Sequence, residues 1–206
     1  MRHRLQLTAT FALAALSMSA GNSRAQEVRD VPAIATQLCE SCHGPNGNSI
    51  NPTVPSIAGQ VEPYLYKQLH AFQSQTRVGV MSGVAMGLSD ADARALAAYF
   101  SRQHAHWNPQ PSRVPRQSRQ GRIIYVDGIA DKHVPACASC HALDGSGLPP
   151  EFPRLAGQHA NYIATQLRAF RSSSRMSNPN AMMRVVSAPL TDAQINAVSQ
   201  YITDLR

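Results

Sequence analysis

CESCHGPNGNS, at residues 39–49, contains two cysteines and a histidine in the spacing C-x-x-C-H. The pattern returns once, as CASCH at residues 137–141, and the 206-residue chain has only these 4 cysteines. Every thiol is therefore committed to one of two identical motifs. The chemistry of that motif decides what kind of protein this is.

Three chemistries use cysteines at this spacing: a zinc site, a dithiol redox pair and covalent attachment of haem. Structural zinc does not need a histidine after the second cysteine, and 98 residues separate the two pairs. A redox dithiol leaves the histidine unexplained, and no thioredoxin-like βαβ pattern surrounds either motif. Covalent haem accounts for every residue, because the thiols add to the two porphyrin vinyl groups and the histidine supplies an axial nitrogen. The expected attachment residues are Cys39, Cys42, Cys137 and Cys140, with His43 and His141 as axial ligands.

The similarity between the two halves of the chain extends well beyond the cysteines. Matches at the same offset of 98 residues include Pro55 with Pro153, AGQ at 58–60 with AGQ at 156–158, Tyr64 with Tyr162, Gln68 with Gln166, and Arg77 with Arg175. Beyond the arginines the offset becomes 102, which pairs Met81 with Met183 and Leu88 with Leu190. The chain is therefore predicted to contain two related domains.

Residues 1–25 read as an export signal, with basic Arg2 and Arg4, an apolar stretch over 5–20, and small residues before a cut near Ala25. The first domain is predicted over 26–103 and the second over 121–206. Between them, residues 104–120 contain three prolines and three arginines without apolar periodicity, which indicates a Pro/Arg-rich linker. We expect the mature protein in the periplasm, with possible peripheral association with the membrane.

The formal net charge is +7, or +4 once the three arginines of residues 1–25 are removed. The basic residues are spread along the chain and accompany no aromatic or Gly-rich RNA-binding motif, so nucleic acid is not an expected partner. The first domain carries a net charge of −1, whereas the linker and the second domain are positive. Transient redox partners dock through complementary charged patches of this kind.

Each half is predicted to be mainly helical, and no segment has a convincing strand pattern. Ser89 is a plausible N-cap for the closing helix of the first half, and Thr191 with Gln194 forms a capping box in the second. Central helices are expected within residues 61–72 and 158–170, and each C-x-x-C-H should end a short helix. The fold class is therefore all-α, with two tandem domains.

A methionine sulfur is the usual complement of histidine at an electron-carrying haem, and it raises the reduction potential. The candidates are Met81 and Met86 in the first half and Met176, Met182 and Met183 in the second. Seven residues before Leu88 and Leu190 both halves have methionine, and no other candidate pair shares a register. The repeat therefore selects Met81 and Met183 as axial ligands.

Each half resembles a class I cytochrome c domain, and the pair resembles the di-haem cytochrome c4 family, with PSIAGQ and PRLAGQ following the haem motifs. The resemblance implies that the carbonyls of Pro55 and Pro153 accept hydrogen bonds from the rings of the axial histidines. It also implies that the haem propionates face each other across a pseudo-twofold axis. Arg77 and Arg175 are then candidates to contact those propionates.

Two haem irons with histidine and methionine ligands have no open position for substrate, so one-electron transfer is expected and enzymatic activity is not. The expected role is a carrier from a quinol-oxidising complex to a terminal oxidase. One alternative is a cytochrome subunit of a periplasmic dehydrogenase or reductase. A less favoured one is a haem enzyme, which requires one methionine to be absent or displaced.

Overall fold

The computed structural model describes residues 29–106 and 115–205, and the side chains within these ranges except those of 115–118. The predicted export signal, residues 107–114 of the predicted linker, and Arg206 lie outside the described residues. Within the described ranges, no helix is long and apolar enough to cross a membrane.

Both halves are built from helices in a similar order. The first half contains α1 (Val31–Ile34), a π-helical turn (Ala35–Cys39), α2 (Glu40–His43), a 3-10 turn (Pro45–Gly47), α3 (Glu62–Gln73), α4 (Val80–Met86) and α5 (Asp90–Ser101). The second half contains α6 (Pro115–Asp127), a 3-10 turn (Ala130–Lys132), α7 (Ala138–His141), α8 (Ala160–Arg171), a 3-10 turn (Pro179–Ala181), α9 (Met182–Ser187) and α10 (Asp192–Thr203). The described residues form two isolated β-bridges and no strand longer than a single bridge. The all-α prediction is confirmed.

The closing helices begin where the capping patterns predict. The Ser89 hydroxyl accepts a hydrogen bond from the Asp92 backbone N–H at 3.0 Å, which starts α5 at Asp90. The Thr191 hydroxyl accepts from the Gln194 N–H at 3.2 Å, which starts α10 at Asp192. Each bond satisfies a backbone donor that has no partner within the helix.

The core of the second half forms where α10 packs along α6. Ile124 and Tyr125 of α6 are buried against Val198 and Ile202 of α10. A Cβ at Gly121 would overlap the backbone of α10 at Ala197, so only glycine permits this close approach of the two helices. The helix α6 starts at Pro115, so residues 115–120 of the segment predicted as linker are helical. The prolines of this segment indicate a linker by composition, whereas a proline is well tolerated in the first turn of a helix.

The two halves meet through their AGQ segments, which exchange hydrogen bonds in a reciprocal way. The Gln60 amide donates to the Arg154 carbonyl at 2.9 Å and accepts from the Arg154 N–H at 2.7 Å. The Gln158 amide donates to the Ser56 carbonyl at 2.9 Å and accepts from the Ser56 N–H at 3.0 Å. Each glutamine thus binds the backbone just after the motif proline of the other half. These contacts orient the two domains toward each other.

Asp92 is the buried acid of the first half, with 1% of its surface exposed. Its carboxylate accepts hydrogen bonds from the Arg29 guanidinium at 2.9 Å and from the Ser89 hydroxyl at 2.7 Å and backbone N–H at 3.0 Å. These donors outweigh the opposing effect of burial and hold the pKa of the Asp92 carboxyl well below its usual value. The carboxylate therefore stabilises the folded state in its charged form.

We expect Asp92→Ala to lower the free energy of unfolding by about 2 kcal/mol, because it removes a buried charged acceptor and the hydrogen bonds that Arg29 and Ser89 donate to it. Since the folded-state pKa lies below the unfolded value of about 3.9, this stabilisation is present at neutral pH and is lost as the pH falls below about 4. Denaturant unfolding at pH 7 and pH 3 measures both effects. Asp90→Ala is the matched control, because the Asp90 side chain is 58% exposed on the same helix. An equal loss of unfolding free energy in Asp92→Ala and Asp90→Ala at pH 7 would contradict this explanation.

Candidate haem sites

A single continuous cavity of about 1310 Å³ runs through both halves. A pocket for one small molecule is usually about 300–1,000 Å³, so this volume suits two large groups better than one small ligand. Its walls are largely aliphatic and aromatic. The cavity is lined by every residue predicted to attach or ligate haem: Cys39, Cys42, His43 and Met81 in the first half, and Cys137, Cys140, His141 and Met183 in the second.

Each motif forms one helical turn at the edge of the cavity. Cys39 is the last residue of the π-helical turn that leads into α2, and His43 ends α2. In the second half Cys137 precedes α7, which His141 ends. Residues three apart lie on the same face of a helix, so the two thiols of each motif lie on the same side of the turn. The adjacent histidine then points into the cavity beside them.

The two histidines are buried, and one ring nitrogen of each has a fixed partner. His43 is 6% exposed and His141 is 7% exposed. The His43 Nδ1 lies 2.8 Å from the Pro55 carbonyl oxygen, and the His141 Nδ1 lies 2.9 Å from that of Pro153. Because a carbonyl only accepts, Nδ1 must carry the proton and donate. Nε2 keeps its lone pair, which is the form that binds a metal.

Burial also keeps both imidazoles neutral. It lowers the pKa of His43 and of His141, and the hydrogen bonds to Pro55 and Pro153 oppose it only in part. A neutral imidazole held by a backbone carbonyl is the usual arrangement of a histidine that ligates a metal.

The cysteines do not have the properties of a redox dithiol. Burial, and then the nearby Glu40 carboxylate, raises the pKa of Cys39 to about 11. Burial raises the pKa of Cys137 to about 11. Reactive dithiols have lowered pKa values, because the thiolate is the nucleophile. Zinc is not favoured either, since in residues 29–106 and 115–205 no three His, Cys, Asp or Glu side chains converge to hold a metal ion.

The methionines separate into two groups by position. Met81 in α4 and Met183 in α9 are half-buried and line the cavity. Met86 is 62% exposed and Met176 is 58% exposed, and neither lines the cavity. Met182 also lines the cavity, although it is 36% exposed. The structure therefore narrows the second-half candidates to two neighbours, and the repeat register is what favours Met183.

Arg77 and Arg175 lie between the two halves and are only 9% and 5% exposed. Each guanidinium stacks over an aromatic ring of its own half, with Arg77 over Phe72 at 4.6 Å and Arg175 over Phe170 at 4.5 Å. None of the ion pairs among the described residues includes either arginine. Burying a charge without a counter-ion is costly, so the site suits an anionic group such as a haem propionate.

Sequence reasoning gave no role to four neighbours of these arginines, namely Tyr64, Gln68, Tyr162 and Gln166. All four contact the guanidinium groups across the boundary between the halves. Their matched positions in the repeat were the available signal. A match in register indicates shared structure, but it does not say that the two copies touch each other.

The donor set fits haem c in both halves. Each half supplies two thiols on one helical turn, a neutral imidazole with a free nitrogen, a thioether and apolar walls. When bound, the haem iron supplies one-electron chemistry by cycling between Fe(III) and Fe(II). The protein holds the ligands and limits the access of water.

Comparison with known proteins points the same way. The sequence model of the family described as Cytochrome c matches residues 28–103 and 120–206. Cytochrome c4 of Azotobacter vinelandii is 35% identical over 211 residues, covering 97% of this chain and 96% of the relative. The crystal structure of reduced recombinant cytochrome c4 from Pseudomonas stutzeri aligns with a TM-score of 0.78 and 37% identity, over 85% of this chain and 96% of that one.

A relative with a different name is also similar in sequence to most of the chain. The thiosulfate dehydrogenase electron acceptor of Thiomonas intermedia is 38% identical over 167 residues, covering 80% of this chain and 76% of the relative. Two family matches, two haem motifs and near-complete coverage by cytochromes c4 agree on two covalently attached haem c groups and a role in electron transfer. The chain therefore belongs to the cytochrome c family, among its di-haem cytochromes c4.

Proposed function

We propose that this protein is a periplasmic one-electron carrier that takes electrons from a quinol-oxidising complex and delivers them to a terminal oxidase. The observation that carries the proposal is the shared cavity, because both sets of residues that we propose to bind haem line it. We expect two haems held in one cavity to exchange electrons inside the molecule. Residues 1–25, which have the pattern of an export signal, support the periplasmic location.

The proposed ligand sets are His43 with Met81 and His141 with Met183. Cys39 with Cys42 and Cys137 with Cys140 attach the haems, and Pro55 and Pro153 orient the histidines. With both axial positions filled, the iron has no place for a substrate, which favours electron transfer over catalysis. We further propose that Arg77 and Arg175 provide the positive charge that balances the haem propionates.

A second candidate partner is a periplasmic dehydrogenase that reduces this protein directly. The similarity to a thiosulfate dehydrogenase electron acceptor favours it. In both roles the partner docks transiently, and complementary charge speeds the encounter. The difference in net charge between the two halves, −1 against a positive linker and second domain, supplies an oriented field for docking.

The test is a reconstitution with the purified holoprotein. Quinol and a quinol-oxidising complex are mixed with this protein and a terminal oxidase, and oxygen consumption is followed at low and high salt. A carrier raises the rate of oxygen consumption several-fold at low salt and less at high salt, because salt screens the charges that guide docking. Reduction by thiosulfate dehydrogenase with its substrate, but not by the quinol-oxidising complex, would favour the second candidate. Carbon monoxide or cyanide binding by the protein as isolated would contradict closed coordination and favour a haem enzyme.

A further inference from the structure

Six polar side chains form a cluster at the boundary between the halves, which we call the junction cluster. It consists of Tyr64, Gln68 and Arg77 from the first half and Tyr162, Gln166 and Arg175 from the second. All six line the cavity that also contains the haem-binding residues. The cluster is therefore placed where it can act on the bound groups.

The hydrogen bonds of the first arginine cross from one half to the other. Arg77 donates from Nη1 to Gln68 in its own half at 2.8 Å. From Nη2 it donates to the Tyr162 hydroxyl and to the side-chain amide oxygen Oε1 of Gln166 in the opposite half, both at 2.9 Å. Two of its three acceptors therefore belong to the other domain.

The second arginine repeats the arrangement with the two halves exchanged. Arg175 donates from Nη1 to Gln166 in its own half at 2.7 Å. From Nη2 it donates across the boundary to the Tyr64 hydroxyl at 3.1 Å and to Gln68 at 2.8 Å. Each tyrosine hydroxyl is thus a positioning group for the guanidinium of the opposite half.

Each guanidinium nevertheless stacks on an aromatic ring of its own half. The stacking of Arg77 on Phe72 and of Arg175 on Phe170 fixes the planar group against its own half. Arg77 also lies only four residues before Met81 in the chain. Because both charges are nearly excluded from water, they are weakly screened, and each acts most strongly on the nearer iron.

The charges of the two arginines act on the hydroxyl of Tyr64. Burial of the Tyr64 hydroxyl opposes its ionisation, but the guanidinium groups of Arg175 and Arg77 outweigh burial and lower the pKa of Tyr64. The larger of these two effects, that of Arg175, crosses the domain boundary, as does the hydrogen bond from Arg175 to the Tyr64 hydroxyl.

We propose that each junction tyrosine tunes the reduction potential of the haem in the opposite half. Tyr162 acts through Arg77 on the haem held at Cys39 and Cys42, and Tyr64 acts through Arg175 on the haem held at Cys137 and Cys140. A fixed positive charge near the iron disfavours Fe(III) and raises the potential. Without the hydroxyl, the guanidinium loses one of its cross-half acceptors and its mean position becomes less fixed. The inference rests on the haem attachments and ligands of the proposed function.

The test is Tyr162→Phe in the full-length holoprotein, with both midpoint potentials measured by spectroelectrochemical titration. Met81→Ala and Met183→Ala assign the two transitions, since each displaces one of them. We expect Tyr162→Phe to lower the potential of the first-half haem more than that of the second-half haem. Tyr64→Phe is the mirror experiment, and it should lower the second-half potential more. It also serves as the test if Tyr162→Phe does not fold.

Tyr66→Phe is the matched control. Tyr66 lies on the same helix as Tyr64, but its hydroxyl donates a hydrogen bond to Asp90 at the surface and not to the junction cluster. It should leave both potentials unchanged. A larger shift of the haem in the same half as the substituted tyrosine would overturn the inference, and so would two unchanged potentials. A purely structural role predicts lower stability without this crossed pattern. Failure of the proposed function is distinguishable, because it would appear as a missing haem or an open iron in the unsubstituted protein.

Discussion

Replacing both cysteines of the first motif, Cys39→Ala with Cys42→Ala, should lower the haem content from two per chain to one and unfold the first half. The apolar walls around the motif are then left without the group that fills them. In the cavity, each large apolar side chain that loses its cover costs about 1.5–3 kcal/mol. Several such losses together match the total stability of about 5–15 kcal/mol of an ordinary domain.

Haem content is measured by the pyridine haemochrome method, and helix content by far-ultraviolet circular dichroism. Ser41→Ala is the matched control, because Ser41 lies exposed between the same two cysteines and its loss should leave both haems in place. Cys137→Ala with Cys140→Ala should have the same effect on the second half. A variant with no C-x-x-C thiols in one half that still binds two haems covalently would refute the assignment.

Replacing one axial methionine should open one iron and leave the other closed. In Met81→Ala, we expect the far-red absorption band that methionine bound to ferric haem produces in this family to fall to about half, and the reduced protein to bind one carbon monoxide per chain. The potential of that haem should fall by on the order of 0.1 V or more, within the range of about 0.8 V that axial ligands set. The thioether favours the reduced state, so its loss lowers the potential.

The structure provides a control for each methionine. Met86→Ala removes an exposed methionine from the same helix as Met81 and should change neither the band nor the potential. In the second half, Met183→Ala is compared with Met182→Ala, because both side chains line the cavity. If the band is lost in Met182→Ala and kept in Met183→Ala, the repeat register has selected the wrong neighbour.

The sequence was sufficient for the features that depend on local chemistry. Two C-x-x-C-H motifs in a duplicated chain predict two c-type haem domains, and the family comparisons agree. Helix starts at Ser89 and Thr191 were readable because a capping side chain bonds a backbone group only three residues away. The start of α6 at Pro115 was not readable, because the prolines, arginines and lack of apolar periodicity in that segment are typical of a linker.

Contacts between the halves were decided only by the tertiary structure. In the sequence, the AGQ segments and the tyrosine, glutamine and arginine positions repeat in register. Such a repeat indicates two copies of the same local structure. In the folded protein, Gln60 bonds the backbone at Arg154, and Arg77 bonds Tyr162. A repeat records what each copy has in common, whereas these bonds depend on how the two copies are oriented. That orientation arises from the packing of two surfaces about 100 residues apart in the chain, and no local pattern encodes it.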